Sequence, residues 1–171
     1  MEGEIINRVA GSGIVTLELD SYYREGERVL LDLAAQLENG LLLREKTFRE
    51  FISTTDWEGF SGKHVGVCCT ADAIIPAWAY MLVGTSLQPF AASVVFGGLE
   101  VLEERLFLEA LSREDWQRFR DQRVVVKGCT RVEVPASVYL DVSARLRPVA
   151  LSIMFGEACS SVPVFKRKSA F

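Results

Sequence analysis

The chain has one histidine, His64, in 171 residues, and its four cysteines include no C-x-x-C pair. A histidine-based hydrolase is therefore an unattractive reading, since such sites need an imidazole beside the nucleophile. Nor does the chain contain a G-x-G-x-x-G, a P-loop, a G-x-S-x-G or an H-E-x-x-H motif, so dinucleotide, phosphate, serine-esterase and zincin chemistry have no sequence signal. No apolar run approaches the roughly 18–20 residues that a membrane helix needs. The first residues, MEGEIINRVAGSG, are acidic and lack a long apolar core, which argues against a secretory leader. The expected compartment is the cytoplasm, where cysteines stay thiols or bind metal rather than pair. Nor is there an excess of positive charge, with 19 Lys and Arg against 23 Asp and Glu. The net charge is −4, and a nucleic-acid partner would want a basic face. Lys166-Arg167-Lys168 is the one basic cluster, and it reads as part of a solvated C-terminal tail, 160–171.

What is present is ordinary globular composition, 49% apolar and 25% charged, enough for a real core in a single domain spanning 1–171. Within it, residues 45–97 align with 104–156 at an offset of 59, with 19 of 53 positions identical. The matches include Asp56/Asp115, Trp57/Trp116, Phe60/Phe119, Pro76/Pro135, Tyr80/Tyr139, Pro89/Pro148 and Phe96/Phe155. This pattern reads as one unit used twice, after an N-terminal extension, 1–40.

In the extension, Glu4–Val9 reads as a short helix, and Gly13–Leu19 and Arg28–Asp32 as strands. A short helix then runs toward a stop at Asn39-Gly40. Each repeat opens on a helix, Glu45–Ser53 in the first and Leu102–Leu111 before the second. An Asp-Trp-x-x-Phe turn follows, then a buried strand at Val65–Cys68 or Val124–Val126. Pro76 and Pro135 suit a first helical position. The helices they open carry Tyr80, Val83 and Leu87, or Tyr139, Val142 and Leu146, on one face, and Pro89 and Pro148 end them. Ser93–Phe96 and Ser152–Phe155 close each copy as strands. Strand–helix–strand of this length is the parallel crossover unit. The fold class expected is α/β, with duplicated strand–helix–strand units forming one mainly parallel sheet flanked by helices. The N-terminal strands would add at an edge. The alternative is α+β, with the halves packed about a pseudo-twofold axis. The matched Trp, Phe and Tyr residues read as core.

Ligands of a parallel sheet gather beyond the carboxyl ends of its strands. Cys68 and Cys69 end the first leading strand, Cys129 ends the second, and Cys159 follows the last. Cys69-Thr70 aligns with Cys129-Thr130 after a one-residue adjustment, and the repeat partner of Cys159 is Glu100. Neighbours in a strand point to opposite faces, and Cys68 is read as the one that packs inward. Cys69, Cys129, Cys159 and Glu100 then form a candidate metal set, and its sulfur content points to zinc or an iron–sulfur cluster. Free cysteines also pack as small apolar residues. His64 reads as a surface residue, Asp72 as a cap for the helix after Pro76, and Glu157 as a support beside Cys159.

The strings CTADAIIPAWAYMLV, LQPFAASVVFGGLEVLE, VVVKGC and LRPVALSIMFGEACSSVPVFKRK, with EGERVLLDL and LLLREKTFREF before them, cover nearly the whole chain. They resemble a bacterial family of unknown function, number 2480 in the domain-of-unknown-function series. The resemblance implies no reaction. Genes of that family often lie near those of the sulfur-mobilisation system, so the resemblance implies partners among iron–sulfur assembly proteins and raises the weight of a thiol or metal role. Three functions remain open. The leading one is a metal-binding accessory protein in iron–sulfur assembly or trafficking. The second is a thiol enzyme or sulfur carrier working through Cys69 or Cys129. The third is a non-catalytic interaction module whose cysteines only pack.

Overall fold

The computed structural model describes residues 13–157 and 159–168. The expected helix at 4–9 lies outside them. Among the described residues the strands are β1 (Ile14–Glu18), β2 (Arg28–Asp32), β3 (His64–Cys68), β4 (Ser93–Phe96), β5 (Arg123–Lys127), β6 (Ser152–Glu157) and β7 (Ser160–Lys166). The α-helices are α1 (Glu45–Thr54), α2 (Ala77–Leu87), α3 (Leu99–Leu111) and α4 (Ala136–Leu146). The fold is mixed α/β, with mostly parallel sheets flanked by these four helices.

The strands sort into two sheets, ordered β2-β3-β4 and β1-β5-β6-β7, rather than into the single sheet expected. All neighbours are parallel except β6 and β7. The chain correspondingly divides into two compact units, Glu25–Arg105 and the described residues outside that span, with the boundary inside α3. Each N-terminal strand joins the edge of a different sheet, so the extension is shared out between the units. The segment read as a tail is strand β7. Its alternation is short and Pro163 interrupts it, which masked it in the sequence.

In the 25–105 unit, α2 buries Ala79, Val83 and Leu87 against Val65 and Val67 of β3, with Leu33, Leu43 and Phe48 completing the core. In the other unit, α4 buries Val138, Val142 and Leu146 with Val124, Val126 and Ile153. Val83, Leu87, Val142 and Leu146 lie on the face expected, with Ala79 and Val138 at its centre and Tyr80 and Tyr139 half-buried at its margin. Pro76 and Pro135 cap the helices in extended conformation, and the helices begin one residue later. No side chain caps α2 by hydrogen bonding, so Asp72, which is exposed, does not fill the role expected of it. The short helix after β2 is a single 3-10 turn ending at Gln36, and Asn39-Gly40 form a separate turn bridged by Glu38 and Leu42. Trp57 packs on the first core and its Nε1 donates to the Ile52 carbonyl at 2.8 Å.

His64 is not a surface residue. It is 5% exposed at the head of β3. Its Nδ1 lies 2.8 Å from the Ser93 hydroxyl, and its Nε2 lies 3.0 Å from the Glu25 carbonyl. Gly26 sits against the ring with φ +133°, and a Cβ there would approach it to 2.9 Å. Beside it, Arg28 of β2 makes a two-pronged bridge to Glu103 of α3, at 2.9 and 3.1 Å, with both side chains mostly buried.

Candidate functional site: the carboxyl rims

Each unit has a rim where its edge strand and central strand end together. In the 25–105 unit, Asp32 ends β2 opposite Cys68. One carboxylate oxygen of Asp32 accepts from the N–H groups of Ala34 at 2.9 Å and Thr70 at 3.0 Å, and the other accepts from the Thr70 hydroxyl. In the other unit, Asp20 follows β1. It takes the N–H of Thr130 at 2.7 Å and the Thr130 hydroxyl at 2.9 Å. Arg131 donates to the Asp20 carbonyl at 2.6 Å and lies over the Tyr23 ring. The same aspartate–threonine clamp thus follows each central strand and fixes the loop that carries its cysteine.

These contacts set the electrostatics. The neighbouring Cys129 thiol and then the Thr130 N–H hold the Asp20 carboxyl below its ordinary range. Asp32 is held low in the same direction, first by the Thr70 hydroxyl and then by the Ala34 N–H. Cys68 goes the other way, because burial and then the Asp32 carboxylate push its thiol up. Tyr80 and Tyr139 are both pushed up, by burial first and then by the neighbouring Cys69 or Cys129. Tyr80 meets Phe96 edge-on at 5.2 Å, and Tyr139 meets Phe155 at 5.5 Å. Gly128 stands under the Tyr139 hydroxyl, which would lie 3.0 Å from a Cβ.

Cys69 and Cys129 pack on the fringes of the two cores. Cys68, expected to be the inward one, is half-buried and is not among the residues packed on the core. Cys159 is exposed beside β7, and Glu100 is exposed in the first turn of α3. Cys69 and Glu100 belong to one unit, Cys129 and Cys159 to the other. Among the described residues, no group of three or more His, Cys, Asp or Glu side chains is placed to hold a metal ion. Glu157 pairs with Lys127 at 3.0 Å.

A family model described as Protein of unknown function (DUF2480) matches residues 3–167. The chain belongs to this family. No curated protein and no solved structure matches it. Among the described residues, no helix is long and apolar enough to cross a membrane.

Two features of this DUF2480 chain were not drawn from its sequence. The clamp aspartates had a signal, an aspartate at or just past the end of each N-terminal strand, in LELD and LLDL. The other is the open side of β4. Its counterpart β6 is covered by β7, and a pocket of about 320 Å³ lies beside that pairing, lined by Val126, Tyr139, Ser143, Met154, Phe155 and Val164. Nothing within the three-stranded sheet covers β4 in the same way.

Proposed function

We propose that the chain is a non-catalytic interaction module. The observation that carries this reading is the difference between two equivalent strands. Ile153 and Phe155 of β6 are 2% and 43% exposed beside β7, whereas Val94 and Phe96 of β4 are 37% and 71% exposed. An apolar strand edge left open in this way is a place where another strand adds. The cysteines favour this reading over thiol chemistry. A reactive cysteine wants an electropositive setting, but Cys68 stands opposite the Asp32 carboxylate and Cys129 lies beside that of Asp20.

The test is elemental analysis of protein purified without chelator or affinity metal, together with thiol-labelling rates on the native chain. An interaction module carries metal well below one equivalent, and no cysteine reacts faster than in the unfolded chain. Stoichiometric zinc or iron, lost in folded Cys69→Ser and Cys129→Ser variants, would restore the metal-binding reading. One cysteine labelling about tenfold faster than in the unfolded chain would restore the thiol reading.

A further inference from the structure

We infer that β4 pairs with β4 of a second copy of this chain, antiparallel about a twofold axis through Val95. The inference rests on the interaction reading and names its partner.

Four strands lie at sheet edges, β1, β2, β4 and β7. Proteins guard such edges with charge or proline. β1 ends in Glu18, β2 carries Arg28 and Asp32, and β7 carries Pro163 and Lys166. β4 reads Ser-Val-Val-Phe and carries neither charge nor proline.

Its main chain is also oriented for pairing. The Gly97 N–H donates to the Val67 carbonyl at 2.9 Å. Backbone groups alternate along a strand, so Val95 shares that direction toward β3, while Val94 and Phe96 turn their N–H and C=O groups outward. Val94 and Phe96 also share one side-chain face, the face on which the Tyr80 ring meets Phe96.

The choice of partner comes from the equivalent edge. There, β7 sets Phe165 opposite Ile153 and Val162 opposite Phe155. An edge in the position of β4 thus takes an aromatic opposite its first apolar residue and a valine opposite its phenylalanine. A second β4, run antiparallel, supplies both. Val94 falls opposite Phe96 of the copy, Phe96 opposite Val94, and Val95 opposite itself. Both Val94–Phe96 pairs are then hydrogen-bonded pairs, and the two three-stranded sheets continue as one. The strand is uncharged, so the twofold sets no like charges against each other. Within its unit, Phe165 packs against the core as an added strand's contribution; Phe96 of the copy would do the same.

Sedimentation equilibrium of the full chain over a concentration series tests this. Wild type should be a dimer that dissociates on dilution. Val94→Lys and Phe96→Lys, both at exposed side chains, should be monomers with unchanged circular dichroism and a thermal midpoint that no longer varies with protein concentration. Val95→Cys tests the register. It lies at a non-hydrogen-bonded pair, where Cα atoms stand about 4.5 Å apart, a separation a disulfide spans. In a chain whose exposed Cys159 is replaced by Ser, mild oxidation should give a reducible dimer for Val95→Cys, and none for Ser93→Cys, which would face Gly97 of the copy. Wild type monomeric throughout the series, lysine variants that remain dimeric, or cross-linking through Ser93→Cys but not Val95→Cys would each overturn the proposal. These outcomes concern assembly alone. The interaction reading falls separately, on stoichiometric metal or a fast-labelling thiol.

Discussion

Two side chains show at the residue scale how environment sets chemistry. Tyr22 hydrogen-bonds the Glu114 carboxylate in a half-buried site. Burial, then that acceptor, pushes its hydroxyl from 10.0 up to about 12. A group whose folded pKa is raised contributes stability that is full below the unfolded pKa and is lost as pH rises through the folded one. The Tyr22 contribution is therefore complete below pH 10 and disappears as pH approaches 12. Allowing for solvent screening, it amounts to about 1 kcal/mol. Urea unfolding of wild type and Tyr22→Phe at stepped pH should show the variant losing less stability across that window. Parallel curves would show that Tyr22 does not titrate in this way. His64 illustrates what a linear reading misses. A lone histidine opening a strand reads as exposed, but the groups that bury it come from elsewhere. The Glu25 carbonyl is 39 positions away in the chain and Ser93 is 29 positions away, and the close approach depends on Gly26 at positive φ. Nothing within a window around His64 carries that information.

Periodicity and proline placement made most of the elements legible. The helices after Pro76 and Pro135 start within one residue of expectation because proline sets φ and has no N–H to leave unpaired. Their buried stripes follow from apolar spacing. Leu87 and Leu146 are fully buried at the ends of these stripes. Leu87→Ala and Leu146→Ala should each lower unfolding free energy by about 2–5 kcal/mol, the range for leucine truncation in packed cores, as read from denaturant midpoints. A loss below about 1 kcal/mol at either site would show that its helix does not anchor the core. Sheet membership was harder to read. β1 and β2 have similar composition, and local pattern cannot say that one pairs with β5 and the other with β3, because register is set by tertiary contacts. The rim was legible only in part. Cys69-Thr70 and Cys129-Thr130 stood out as a pair, but the aspartates that hold them come from 38 and 110 residues earlier.

At the scale of the whole molecule, the two units differ in how the chain builds them. The 25–105 unit is continuous in sequence, and its core draws on Leu33, Phe48, Val65, Val83 and Leu87. The other unit is discontinuous, since Leu17 and Leu19, 1% and 0% exposed, are supplied by the segment before residue 25. Removing that segment also removes β1, leaving Val124, Val125 and Val126 of β5 without their neighbour on that side. A fragment of residues 25–111, which retains all of α3, should therefore fold alone, since it keeps every residue of its core cluster and all three strands of its sheet. It should unfold in urea with a single sigmoidal transition. A fragment of residues 106–168 should show no cooperative transition, because its core is opened along the β1 edge, and joining residues 13–24 to it through a flexible linker should restore one. If 25–111 melts without cooperativity, or 106–168 folds without the β1 segment, then the two cores do not mark the units of stability.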